Sequence, residues 1–329
     1  MKKLKRFSMA LFAMFAIASC SSDDDSTSST PSGGGSADPV LNIVETAQAT
    51  PSLSLLVEAV IQADLVDALT ASGDRTVFAP TNDAFTAFLL DKGFAQLSDV
   101  PNDVLAQILL NHVIDGTNIM SSDLSGTTGY TKTLASGPEA TNLSIYWDGN
   151  NGVELNGAAT VTLADVMASN GIIHVVDAVI DLPTIATFAT TNPALSTLVD
   201  ALAYADTGMP TVPYIETVSD PEAGPLTVFA PVNDAFGDLL VDVGANELAD
   251  VATTTVDDIL TYHIVNNANV TSGELEDGTV TTIGGDITLD AAALTLTDPN
   301  GGVSNIVSTL VDIQGTNGVV HVIDRVIRP

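Results

Sequence analysis

The sequence predicts two consecutive copies of one domain in which helices alternate with strands. Three observations lead there. The stretch TVFAPTNDAF at Thr76 to Phe85 returns as TVFAPVNDAF at Thr227 to Phe236, with nine of ten residues unchanged. All four histidines fall into matching pairs, His112 with His263 and His174 with His321. A chain of 329 residues also suits two domains of about 140 residues, each large enough to bury its own core.

The chain opens with MKKLKRFSMALFAMFAIASC: a basic stretch, an apolar run from Phe7 to Ile17, then small residues. That run is too short to span a bilayer, so residues 1–20 read as a signal peptide. Ile17-Ala18-Ser19-Cys20 resembles a bacterial lipobox, whose cysteine is lipidated and becomes the new N-terminus. Cys20 is the only cysteine, which excludes an intramolecular disulfide. An ordinary signal peptide with an incidental cysteine is the alternative. Residues 21–38, SSDDDSTSSTPSGGGSAD, lack apolar periodicity and cannot offset their ordering entropy. They read as a disordered tether spanning roughly 25 Å on average. Ser21-Ser22-Asp23-Asp24-Asp25 resembles the acidic signal that sends Bacteroidetes lipoproteins to the outer face of the outer membrane. The expected location is therefore the outer membrane, lipid-anchored and facing the exterior.

Charge narrows the partners. Lys2, Lys3, Lys5 and Arg6 crowd the leader, and only Arg75, Lys92, Lys132, Arg325 and Arg328 follow it. All 41 acids lie beyond residue 20, so a chain cleaved there carries a net charge near −36. Phosphate backbones and anionic headgroups repel such a surface, which excludes nucleic acid and leaves the lipid as the only membrane contact. Solubility in salty water and bridging by cations are the two readings of the acidity.

Each copy starts with a helix, signalled by Thr50-Pro51 and Asn192-Pro193, where Thr or Asn caps and Pro suits the first turn. Leu53, Leu56, Val57, Val60 and Ile61 follow at helical spacing in the first copy, and Leu195, Leu198, Val199 and Leu202 in the second. The second copy is nine residues longer between its Pro and the decapeptide. The extra residues lie within Asp206 to Leu226, which holds Pro210, Pro213, Pro221 and Pro225 and reads as a long exposed loop, either a binding element or simple drift. Almost no linker separates the copies, so the two domains are expected to abut at a fixed angle.

In the decapeptide, Thr76 to Ala79 suits a buried strand and Pro80 ends it. Asn82 then reads as the cap of a helix with Asp83 in its first turn, and Phe78 and Phe85 pin the two arms of the corner. Asn233 and Asp234 repeat the device, with the sixth position solvent-facing and free to be Thr81 or Val232. The repetition is explained by architecture without catalysis.

TVFAPTNDAF, Tyr262-His263 and the NGVVHVID run from Asn317 to Asp324 together resemble the hallmark segments of the fasciclin domain. The resemblance spans two domains, at about residues 39–182 and 183–329. It implies an α+β fold, each domain a wedge of two small β-sheets flanked by helices, and a role in adhesion at the cell surface or in the matrix. The first copy departs from the pattern by placing Asn111 where the second has Tyr262. In animal matrix members an Asp-Ile pair before the NGV-His strand has been linked to integrin adhesion; the aligned residues are Asp165-Val166 and Asp312-Ile313. The flanking residues differ from the animal pattern, and the alternative is that Val166 and Ile313 are buried strand-edge residues.

The remaining chemistry is sparse. His112 and His263 follow amphipathic helical runs and His174 and His321 sit in apolar strands, positions typical of core histidines satisfied by backbone partners. No H-x-x-H, H-E-x-x-H or cysteine cluster points to a metal, and no cofactor is implied. Asp148-Gly149-Asn150-Asn151-Gly152 and Asp298-Pro299-Asn300-Gly301-Gly302 read as turns, not calcium loops, because the closing Glu of such a loop is missing. No nucleophile elbow or phosphate loop is present, and no enzyme is expected. The function expected is adhesion to cells, extracellular matrix or polysaccharide; the alternative is carriage of a small apolar ligand between sheet and helices.

Overall fold

The computed structural model describes residues 40–329; the expected signal peptide, Cys20 and tether lie outside the described residues. The first domain begins where the Asn42 side chain accepts from Glu45 N–H and the Glu45 carboxylate accepts from Asn42 N–H, a reciprocal cap that starts α1 (Ile43–Gln48). Then come α2 (Ser54–Gln62), α3 (Val66–Thr70), β1 (Arg75–Pro80), α4 (Asn82–Asp91), α5 (Asn102–Leu110), β2 (Val113–Asp115) and the single turn α6 (Ser121–Leu124). A long hairpin, β3 (Thr128–Ser136) and β4 (Asn142–Asp148), leads to β5 (Glu154–Leu155), β6 (Ala159–Ala168) and β7 (Gly171–Val176).

The second domain repeats this order. It runs α7 (Ile185–Thr191), α8 (Ser196–Asp206), α9 (Tyr214–Ser219), β8 (Leu226–Pro231), α10 (Asn233–Val243), α11 (Thr253–Thr261) and β9 (Ile264–Asn266). The strands β10 (Gly278–Thr281), β11 (Asp286–Asp290), β12 (Thr295–Thr297), β13 (Val303–Asn305), β14 (Ile313–Gly315) and β15 (Gly318–Ile323) complete it. These strands form two separate four-stranded sheets, β14-β15-β8-β9 and β10-β11-β12-β13. In the first domain the long, twice-bulged β6 runs through both sheets and joins them into one of seven strands, β2-β1-β7-β6-β5-β4-β3.

The two copies share register. β1 pairs parallel with β7, placing Phe78 opposite His174, and β8 pairs with β15, placing Phe229 opposite His321. Alternation along β1 turns Val77 and Ala79 toward the helices, where Phe85 packs, and Phe78 toward Ile145 and Leu155 on the other face. The two phenylalanines of the corner thus fasten opposite sides of the central sheet. A Cβ at Gly171 or Gly318 would collide with the carbonyl of Arg75 or Leu226 on the neighbouring strand, which explains the glycine in both Asn-Gly pairs.

Four local expectations are corrected. The cap of α4 is Thr81, whose hydroxyl accepts from Ala84 N–H at 3.2 Å; Val232 holds the same place in α10 without a side-chain bond and packs against the core instead. Asn82 is already helical, and its amide bridges to the start of α2, accepting from Leu55 N–H at 2.9 Å and donating to Pro51 O at 3.0 Å. Asn233 does the same to Thr197 N–H and Pro193 O, both at 2.9 Å. Thr50 does not cap: its hydroxyl donates back to Thr46 O, while Asn192 does accept from Ala194 N–H. Ile61 lies on the exposed side of α2, while Leu53, Leu56 and Val60 are buried.

The fourth correction is the insertion. The Asp206 carboxylate accepts from Tyr214 N–H and Ile215 N–H, both at 2.9 Å, and so starts α9. Tyr214 and Val218 are buried in the domain core. The prolines that mark a loop in sequence stand just outside the helix, where their missing N–H costs nothing. α9 takes the place of α3: Asn170 Nδ2 donates to Leu69 O and Ala71 O, and Asn317 Nδ2 donates to Val218 O and Asp220 O.

Candidate binding surface at the domain junction

The histidines are engaged by the backbone in matching ways. His112 Nδ1 lies 2.7 Å from Ile108 O and its Nε2 accepts from Ile180 N–H at 2.9 Å; His263 Nδ1 lies 2.9 Å from Ile259 O and its Nε2 accepts from Ile327 N–H at 3.0 Å. Each ring is therefore neutral with its proton on Nδ1, and burial holds both pKa values down at about 4. His174 and His321 donate from Nε2 to Ile119 O and Val270 O, each at 2.9 Å. Their Nδ1 atoms face the backbone N–H of Asp165 at 3.3 Å and of Asp312 at 3.5 Å.

Asp165 and Asp312 share a strained left-handed conformation, with φ of 59° and 57°. Each carboxylate clasps a serine at a short helical turn. Ser121 donates to Asp165 from its N–H at 2.8 Å and its hydroxyl at 2.5 Å, and Ser272 donates to Asp312 from its N–H at 2.6 Å and its hydroxyl at 2.5 Å. The Ser121 bonds hold the Asp165 carboxyl below the usual carboxylate range. The residues after these aspartates differ. Val166 is half-buried, whereas Ile313 is 1% exposed inside the core of the second domain and has no surface to offer a partner.

The reason lies in the other domain. The β3–β4 hairpin reaches across the junction and covers β14: Gln314 N–H donates to Ser144 Oγ at 2.9 Å and Lys132 Nζ donates to Asp312 O at 2.5 Å. Tyr146 is buried within the second domain's core, and Tyr130 packs edge-on to Phe188 at 5.7 Å while its hydroxyl accepts from Asn192 Nδ2 at 3.0 Å. Burial lowers the Lys132 pKa from its ordinary value. Sequence reasoning gave none of these residues a role between the domains, and did not single out Tyr130, Ser144, Tyr146 or Gln314 at all. The available signal was the spacing between paired histidines, 62 residues in the first copy and 58 in the second, which reflects the longer first-domain hairpin.

Two other motif positions act locally. Asn111, fully buried, donates to Ile180 O at 3.3 Å and Asp181 O at 3.0 Å and so fastens the interdomain linker. Tyr262 is half-buried and packed beneath the Gly284-Gly285 turn. Asp83 and Asp234 stand exposed in the first turns of their helices. Asp148 and Asp298 accept from backbone N–H groups of their own turns, at 2.9 Å from Asn150 and at 2.7 Å from Gly302. Among the described residues no group of three His, Cys, Asp or Glu side chains could hold a metal ion, and no helix is long and apolar enough to cross a membrane.

All five cations of the described chain have intramolecular partners. Arg75 pairs with Asp115 at 3.0 Å, Lys92 with Asp181 at 2.6 Å, and Arg325 and Arg328 both with Asp242, at 3.3 and 3.2 Å. Lys132 is held by the junction, so the excess of acid on the surface is left unneutralised. Between helices and central sheet each domain keeps one small apolar cavity of about 30 Å³, beside His112 in the first and His263 in the second.

Comparison with known proteins places this geometry. The fasciclin domain matches residues 51–183 and again residues 193–329. The chain is 43% identical over 147 residues to protein sll1483 of Synechocystis, covering 44% of this chain and 74% of that one. It is 35% identical over 146 residues to the cell surface glycolipoprotein MPB83 of Mycobacterium bovis, covering 44% and 60% of the two chains. A solved FAS1 domain pair from the insect cell adhesion molecule fasciclin I superposes with a TM-score of 0.49 at 18% identity, over 84% of this chain and 96% of that one. The fasciclin match in both halves identifies the chain as a member of the fasciclin-domain family with two tandem domains.

Proposed function

We propose that this protein is a lipid-anchored adhesion module, carried on Cys20 and the tether of residues 21–38, displayed on the outside of the outer membrane and binding cells, matrix or polysaccharide. The observation that carries the reading is that the fasciclin match fills both domains while every histidine is held by backbone bonds. The similarity to a mycobacterial cell surface glycolipoprotein supports the location. The contact edge we favour is Asp165-Val166 on β6, flanked by Leu163 at 56% and Met167 at 61% exposure, because the equivalent edge of the second domain is covered by the first. Carriage of an apolar ligand is less favoured, since cavities of about 30 Å³ are far below the roughly 150 Å³ that admits a benzene-sized guest.

Beads coated with the unlipidated protein test the reading. They should adhere to cells or matrix more strongly in seawater-like salt with calcium than in dilute buffer, because exposed charge is screened within about 8 Å at physiological ionic strength. Met167→Asp should weaken adhesion without changing the melting temperature. Beads that adhere under no condition sink the adhesion reading. Cys20→Ala should move the protein out of the detergent phase, and unchanged partition refutes the anchor.

A further inference from the structure

A cleft of about 770 Å³ opens where the domains meet, lined by the Asn156-Gly157-Ala158 turn of the first domain, the linker at Asp181 and Leu182, and α7 and Thr316 of the second. The volume lies within the range of small-molecule pockets. Its lining offers hydrogen bonds of both senses. The Thr190 and Thr191 hydroxyls donate into their own helix, to Ala186 O at 2.8 Å and Thr187 O at 2.7 Å, which leaves their lone pairs as acceptors. Lys92 and Asp181 add an ammonium and a carboxylate.

Two polar atoms of the lining residues lack any partner in the protein. Asn156 is 6% exposed, and its Oδ1 accepts from Tyr146 N–H at 2.8 Å while its Nδ2 donates to nothing. Thr316 Oγ1 is equally unsatisfied. Buried donors without acceptors are few in native proteins and call for an explanation. Both atoms belong to residues that line the cleft, and Asn156 sits beside the exposed Gly157.

We propose that this cleft binds a neutral oligosaccharide segment across the domain junction. Sugar hydroxyls donate and accept at once, which matches a lining that holds both threonine hydroxyls and an orphan amide donor. An anionic chain would meet Asp181 and a chain of strongly negative net charge, and an apolar ligand would find only Leu182, Pro221 and alanine side chains. The inference rests on the adhesion reading and names the chemistry of its polysaccharide partner.

Calorimetric and amide NMR titrations of the purified protein with short glucan, mannan and galactan oligosaccharides test it, with uronic-acid oligomers and an extended neutral peptide as competing arms. A neutral oligosaccharide should bind and shift the amides of both Gly157 and Thr191. Asn156→Asp keeps the acceptor for Tyr146 N–H but removes the orphan donor, and should lower affinity about tenfold; the buried carboxylate also lowers the melting temperature, so affinity is measured well below it. Thr190→Val, which exchanges the hydroxyl for a methyl, should weaken binding by a smaller factor. Failure of every neutral oligosaccharide, preference for uronate or peptide, or unchanged affinity in Asn156→Asp overturns the proposal. Beads that adhere while the protein binds no oligosaccharide overturn the cleft alone; oligosaccharide binding without bead adhesion supports the cleft and overturns the adhesion reading.

Discussion

Gln314 N–H donates to Ser144 Oγ at 2.9 Å, so a side chain of the first domain completes the backbone bonding of the second. Gln314 is fully buried, and its own amide donates to Gly315 O and Gly318 O and pairs with Asn269. Ser144→Ala leaves that N–H without an acceptor in a buried junction. The expected cost is about 1–3 kcal/mol, seen as a lower melting temperature and faster cleavage of the linker by a protease. Unchanged melting and cleavage would mean that the hairpin does not stabilise the pairing of the domains.

The histidines predict a pH dependence. With folded pKa values of about 4 against 6.5 when unfolded, His112 and His263 bind fewer protons in the native state between those values. Stability is therefore greatest above pH 6.5, falls as pH drops through that range, and levels off for these groups below 4. Each should remove roughly 2 kcal/mol between pH 7 and pH 5. Urea midpoints measured across this window check it, since most carboxylates there stay ionised. A flat profile would contradict neutral, buried rings.

Asn82 and Thr81 are adjacent but should respond differently. Asn82→Ala breaks the bridge from α4 to α2 and should cost about 1–2 kcal/mol, as should Asn233→Ala. Thr81→Val removes only a cap that the second domain lacks, and should cost less than about 1 kcal/mol. Chemical denaturation ranks the three. A larger loss at Thr81 would restore the cap as the reason for the motif.

Asp257 anchors the insertion. It accepts from Tyr214 Oη at 2.7 Å and from Thr211 N–H and Oγ1 at 3.0 and 2.7 Å. Burial, with Asp257 adding to it, pushes the Tyr214 hydroxyl well above its ordinary pKa and keeps it a donor. Asp257→Ala should cost about 2–3 kcal/mol and expose the chain around Met209 to proteolysis. Resistance equal to the parent's would show that Tyr214 is held by packing alone.

Repetition made the family and the paired architecture legible before any coordinates. Strand and helix periods, the doubled decapeptide and four paired histidines are properties of local pattern, and local pattern dictates which face of each element is apolar. For the same reason the burial of the histidines could be read from their apolar neighbours. Which groups those rings, asparagines and aspartates bond lay beyond the pattern, because the decisive partners are far along the chain, 44 residues for Ser121 from Asp165, 68 for Ile180 from His112 and 101 for Leu69 from Asn170.

Asp206 to Leu226 reads as a loop because four prolines punctuate it, yet Tyr214 folds inward once Asp257 on α11 supplies a buried acceptor. Asp165-Val166 and Asp312-Ile313 are equivalent in sequence, and only the docking of β3 and β4 against β14 leaves the first open and covers the second. The sequence alone thus determined what each domain is, since that depends on periodicity and on residues close in the chain. The tertiary structure decided which surfaces remain available, since that depends on what the neighbouring domain has already covered.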